Sequence, residues 1–272
     1  MDVQELIERY NRGETDFQKI ELRGQFMGNI DLQRINLKEA DLSGVTFVDC
    51  KLIEANLKEA NLTKAVVKGD LQGINLIQSQ LVGSDFEGSN LSDASLRNAN
   101  LSEANFSNTR LVCTLLHDAI LKKANFSNAT MINCLLSRAN LTDANLQGAN
   151  LQGSNLTNAI LINTNLEGAN LSLCQLNGVN AVGVKAEGAN FSHASLAGAN
   201  FAGGVFRRAN FYGAHMAWCS LRMADFSEAN LEEANLLWSN LTRANLTKAS
   251  LIRANISQTN FEGANITDLI FK

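Results

Sequence analysis

The sequence predicts an all-β solenoid, a chain wound into stacked coils of very short strands, and three observations make that prediction. First, an apolar hub residue returns every fifth position from Phe17 through Leu22, Met27, Leu32, Leu37, Leu42, Phe47, Leu52, Leu57 and Leu62 to Val67. After one four-residue step the series resumes at Leu71 and runs unbroken to Phe271, giving 52 tandem pentapeptides. Second, the residue two places before each hub is small: it is Ala in 27 of the 52 repeats and otherwise mostly Ser, Thr, Cys, Val, Ile or Gly. Third, these two slots hold 104 of the 272 residues but none of the charged ones, where chance would place more than a third of them. Burying an unpaired charge is prohibitive, so both slots face inward.

The period excludes the helix. Five residues of α-helix turn about 140° past a full turn, so a five-residue apolar repeat would smear around the surface instead of forming a stripe. Strand alternation has period two and fails over long spans. A coil in which each pentapeptide forms one side of a polygon satisfies the pattern, and a large hub beside a small partner suits a narrow interior.

The elements follow in order. Residues 1–16 are expected to form a capping helix and lead-in. Val3, Leu6, Ile7 and Tyr10 fall at helical spacing, Asp2 and Glu5 are placed as a capping box, and Gly13 as a stop. Such a helix would cover the first coil, whose open β-edge invites aggregation. Residues 17–271 are expected to form a single repeat domain. The step between Val67 and Leu71 reads as a bulge or tightened corner. In Val179 to Ala186 two hubs shrink to Ala181 and Ala186, and the aligned rings of Phe201 and Phe206, with Val179 and Val184, are expected to fill the deficit. The last residues, Leu269, Ile270 and Phe271, lack a cap, which points to end-to-end association, as a homodimer through the C-terminal coil.

Asn stands just before the hub in 25 of 52 repeats, where it suits corners and stacked side-chain ladders. The units Ala99-Asn100-Leu101, Ala139-Asn140-Leu141-Thr142-Asp143 and Ala229-Asn230-Leu231-Glu232-Glu233 resemble the A(N/D)Lxx consensus of the pentapeptide-repeat family, and the likeness covers residues 17–271. The run Tyr10-Asn11-Arg12-Gly13 leading into Asp16-Phe17 is similar to cyanobacterial members. The resemblance implies a right-handed quadrilateral parallel β-helix with twenty residues per coil, hence about 13 coils, behind a short N-terminal capping helix. Phe86, Phe106 and Phe126 recur at spacing 20, as do Phe206 and Phe226, which supports that coil length independently.

Composition narrows the function. Net charge is −4, so neither a nucleic-acid binder nor a strongly acidic surface is indicated. Proline is absent, as expected where nearly every backbone N–H joins a ladder. The acidic start and the lack of a long apolar run argue against a signal peptide or membrane span. Cys50, Cys134, Cys174 and Cys219 occupy small inward slots and Cys113 an outward one, with no disulfide framework, which predicts a cytoplasmic protein.

Chemistry is sparse. His117, His193 and His215 fall in outward slots of different coils and no metal set converges, so no metal, cofactor or catalytic residue is expected. No nucleotide-binding or hydrolase motif stands in its required context. The chain therefore reads as a non-enzyme.

The outer slots say more. Trp218 and Trp238 are the only tryptophans and stand twenty residues apart, so they should stack on one edge. Leu237, Tyr212, His215 and Met223 occupy outward slots nearby. Residues 188–224 contain no acid but hold Arg207, Arg208 and Arg222, which reads as a basic rim around an aromatic centre. Ladder support is the competing explanation for the two indoles. Residues 144–166 carry no charge and read as inert spacer. The leading expectation is a regulatory scaffold binding a protein partner through an outer face. Among relatives implied by the resemblance, some engage DNA gyrase by mimicking duplex DNA, which would require a strongly negative surface. A self-assembling structural element is the third reading.

Overall fold

The computed structural model describes residues 1–271, which fall into two compact units, Met1–Leu135 and the residues from Leu136 onward. Both are built from the same coil. Parallel bridges join residues twenty apart, as in Asn36↔Asn56 and Asp41↔Asn61 in the first unit and Asn170↔Asn190 and Asn180↔Asn200 in the second. One bridge per pentapeptide gives each coil four sides, and most sides are single-residue bridges rather than extended strands. The β-helix solenoid expected from the five-residue period is the observed architecture.

The burial pattern follows position in the repeat. Hubs such as Leu96, Leu141 and Phe226 are fully buried, as are their small partners Ala94, Ala139 and Ala224. Phe86, Phe106 and Phe126 stack at centroid separations of 4.9 and 5.1 Å, as the twenty-residue spacing requires. In the second unit Ala181 and Ala186 are buried, and the rings of Phe201 and Phe206 meet edge to face at 5.2 Å one coil away.

Each corner is a tight turn. The carbonyl of hub Leu91 accepts the Ala94 N–H at 3.1 Å, and the residue between, Asp93, has φ 61°. That left-handed conformation recurs at nearly every corner, which explains why glycine or asparagine commonly stands there. The asparagines before the hubs do two jobs. Asn210 Nδ2 donates to Asn190 Oδ1 at 3.1 Å, Asn190 to Asn170 at 3.3 Å and Asn170 to Asn150 at 3.0 Å. Each of these oxygens also accepts a backbone N–H two residues on, for example Tyr212 N–H onto Asn210 Oδ1 at 3.1 Å.

Polar residues in the inward slot are satisfied in a way the sequence did not reveal. The thiols of Cys134, Cys174 and Cys219 donate to the hub carbonyls of Leu111, Leu151 and Leu196 at 2.8 to 3.0 Å, and Thr114 and Thr164 hydroxyls do the same. The small slot thus accepts any compact side chain that is apolar or carries one donor.

In the first unit three longer strands, β1, Phe26–Gly28, β2, Thr46–Lys51, and β3, Val66–Asp70, pair in parallel in that order. The four-residue step is absorbed here. The β2–β3 register shifts between Val48 and Cys50, so the step is a bulge. Gly69 N–H donates to Ser89 Oγ at 3.3 Å while the Ser89 hydroxyl donates to the Val67 carbonyl at 3.0 Å, pinning the shortened strand to the next coil.

The N-terminal helix α1 spans Val3–Asn11. Asp2 caps it by accepting the Glu5 N–H at 2.8 Å, which is half of the expected capping box; the Glu5 carboxylate instead meets Arg9 at 3.5 Å. Leu6 is buried, Arg9 lies 5.4 Å over the Phe17 ring, and Tyr10 Oη donates to the Gln33 carbonyl at 2.9 Å. Cover of the first coil is partial. Ile20 and Ile30 stay half-buried and Phe26 is 66% exposed.

Candidate functional site

Residues twenty apart share a side of the coil and residues ten apart lie on opposite sides, which sorts the outward candidates of the second unit. Trp218 and Trp238 stack with centroids 5.4 Å apart and planes within 8°, and they are 62% and 50% exposed. Both stand at the corner position, with φ 62° and 59°. A bulky residue in the left-handed region is costly, where glycine would carry no such cost. The preceding corners of the same column are Gly178 and Gly198, so the two indoles rise from an otherwise low edge.

Leu237 is half-buried beside Trp238, and exposed His215 lies on the side that leads into Trp218, bridged to Ser195 and Asn235. Arg222 and Met223 follow on the next side, with Met223 64% exposed at φ 57°. Leu237 and His215 thus adjoin the tryptophan corner, and Arg222 and Met223 stand at the corner after it.

The structure separates the rest. Tyr212 sits at the preceding corner, edge-on to His193 at 5.4 Å, where a hydrogen bond to Glu233 raises its hydroxyl above the usual tyrosine range. Arg207 and Arg208 stand about half a coil from Trp218, on the far side. They are also paired: Arg207 Nη2 lies 3.1 Å from Glu187 and its Nε 3.9 Å from Asp225, and Arg208 contacts Glu187 as well. Of the basic residues expected to rim the aromatic centre, Arg207 and Arg208 are thus drawn into ion pairs away from it, and Arg222 remains beside it. Glu187, one coil before Arg207, lies just outside the window 188–224 and contacts both Arg207 and Arg208.

At the C-terminal end Leu251, Ile256, Phe261, Ile266, Leu269 and Phe271 line an open concavity of about 290 Å³. Phe271 is 55% exposed there. Ile270 takes no part, because it bridges Ser250 and faces outward.

Burial pushes the thiols of Cys174 and Cys219 up to about 12. Among the described residues no three His, Cys, Asp or Glu side chains converge on one point, and no helix is long and apolar enough to cross a membrane.

The family model for pentapeptide repeats matches in eight copies that together span residues 30 to 268. No curated protein matches. Among solved structures, the chain is similar to HetL, a pentapeptide repeat protein involved in heterocyst differentiation regulation from the cyanobacterium Nostoc, at 29% identity, covering 98% of both chains with a TM-score of 0.32. It is similar to a pentapeptide repeat protein of the Arabidopsis thaliana thylakoid lumen at 30% identity, covering 38% of this chain and 66% of that one, TM-score 0.30. It is also similar to full-length QnrB1, a plasmid-mediated fluoroquinolone resistance protein, at 19% identity, covering 81% and 93%, TM-score 0.38.

Proposed function

This chain belongs to the pentapeptide-repeat family, and on that premise we propose that it is a non-catalytic, regulatory scaffold that binds a protein partner through the outer surface around Trp218 and Trp238. The observation that carries this reading is the exposed, parallel indole pair held at two successive left-handed corners. Two stacked aromatics flanked by Leu237 and Met223 match the composition of interface centres. A packed interior and outward slots that vary without touching it favour binding over catalysis.

The unbroken register from Leu71 to Phe271 supports one repeat domain over residues 17–271, and the family supports about 13 right-handed coils. Duplex mimicry directed at gyrase finds little support, since net charge is −4 and the tryptophan surface carries arginine. A second contact, between copies of this chain, would use the apolar concavity around Leu269 and Phe271. A strict monomer by light scattering at tens of micromolar would remove that contact. A cytoplasmic location fits five cysteines held as thiols, four of them buried.

Affinity capture with the full chain, followed by cross-link mapping, tests the main reading. Cross-links should fall around residues 215–238, and capture should be lost in the Trp218→Ala, Trp238→Ala double variant while its circular dichroism is retained. Unchanged capture by that variant would defeat the assignment.

A further inference from the structure

The two faces of the Trp218 indole differ. One is covered by Trp238. The other looks down the column over Gly198, where an added Cβ would meet nothing within 4 Å, to Gly178, where the Asn158 amide oxygen lies 2.5 Å from the position a Cβ would take. Trp218 and the Asn158 amide therefore bound a slot about two coil spacings tall, roughly 9.6 Å. A ring or flat aliphatic group about 3.5–4 Å thick enters such a slot in contact with the indole.

Beside the slot runs the side of the coil from Trp218 to Met223. Below it the equivalent positions are Ala202 and Gly203, which leave the floor low; an added Cβ on Gly203 also meets nothing within 4 Å. Arg222, beside Met223 in the same coil, and Arg243, one coil on in the Met223 column, both stand exposed. Among the described residues neither makes an ion pair, in contrast to Arg207, Arg208 and Arg253, each of which is matched by a carboxylate. In the Arg222 column the next carboxylate is Glu262, two coils away at roughly 9.6 Å; Glu262 is one coil from Arg243, whose backbone N–H donates to its carbonyl, but the two side chains do not pair. Two unmatched guanidinium groups beside an apolar slot define what complements them: carboxylates spaced next to an apolar side chain.

We propose that this side of the coil receives an acidic peptide segment of the partner, its apolar side chain seated on the free face of Trp218 over Gly198 and its carboxylates on Arg222 and Arg243. The proposal rests on the tryptophan surface being the interface and adds the chemistry of what it binds.

A phage-displayed peptide library panned on the full chain, with counter-selection on the Trp218→Ala, Trp238→Ala variant, tests it. The enriched peptides should be net acidic with an aromatic or aliphatic anchor. Arg222→Glu combined with Arg243→Glu should weaken a selected synthetic peptide by about tenfold or more, and exchanging the peptide's Glu for Lys should restore binding to that variant. Basic or uncharged peptides that still require the tryptophans would overturn the acidic chemistry and leave the interface standing. Peptides indifferent to the tryptophans, or no enrichment at all, would defeat both. A duplex oligonucleotide that binds through Arg222 and Arg243, or sedimentation showing a dimer that Trp218→Ala dissociates, would overturn the proposal by placing nucleic acid or a second copy on this side.

Discussion

Gly69 lies opposite Cys50 in the β2–β3 ladder, and a Cβ on Gly69 would stand 2.1 Å from the Cys50 carbonyl oxygen. The two backbones meet more closely than any other residue allows, and Gly69 does so with φ 151°. Gly69→Ala should therefore cost at least about 1–3 kcal/mol, because the contact is with backbone and cannot swing aside. A lowered urea midpoint checks this. Gly88→Ala makes the comparison: its φ is also positive at 72°, but an added Cβ meets nothing within 4 Å, so its loss should be smaller.

Phe106 is the middle ring of a stack of three. Phe106→Ala should cost about 3–5 kcal/mol, since it removes contacts in both directions along the column. Phe106→Leu should recover most of that loss in chemical denaturation, since leucine is the commonest hub.

Thiol accessibility should separate the cysteines one against four. Cys113 is exposed at a corner, whereas Cys50, Cys134, Cys174 and Cys219 are buried. Those at 174 and 219 are also held as neutral thiols by burial, near 12. A disulfide-exchange reagent at neutral pH should titrate one thiol in the native chain and all five in denaturant. Cys113→Ser should abolish the native reaction.

Asp85 gives a pH dependence with a definite sign. Partial burial pushes its carboxyl up, but Lys68 Nζ at 2.9 Å, the Glu87 N–H at 3.0 Å and Asn105 Nδ2 at 2.9 Å outweigh it, and the net shift is downward. A carboxyl lowered in the folded state contributes stability above its ordinary range and loses it as pH falls through the folded value. The chain should thus weaken below pH about 4, and Asp85→Asn should flatten that slope in urea titrations.

Removing the indoles should do little to the fold. They project outward, and Gly198 and Gly178 precede them in the same column. Trp218→Gly should change stability by less than about 1 kcal/mol, because relief of the left-handed corner offsets the lost stacking. A large loss by thermal denaturation would assign the pair to ladder support.

The core was legible because a five-residue period leaves one assignment of inside and outside, and hubs such as Leu91 and partners such as Ala94 obey it. Glycine-rich corners were legible for the same reason. The cap was half legible: Asp2 serves Glu5, but the Glu5 side chain finds Arg9 instead. The pairing of Arg207 and Arg208 is not legible from charge along the chain. In a coil the electrostatic neighbour of Arg207 is Glu187, twenty residues back, and not the residues beside it. The carbonyls that satisfy Cys134 and Thr164 likewise come from the coil before and not from sequence neighbours.

Within each unit almost every ladder bond reaches a partner about one coil along the chain, so the loop entropy of closing a new layer is nearly constant. Winding can then advance layer by layer as the chain leaves the ribosome, each turn templated by the one before. Tension would reverse the order, peeling layers in equal increments instead of rupturing the unit at once.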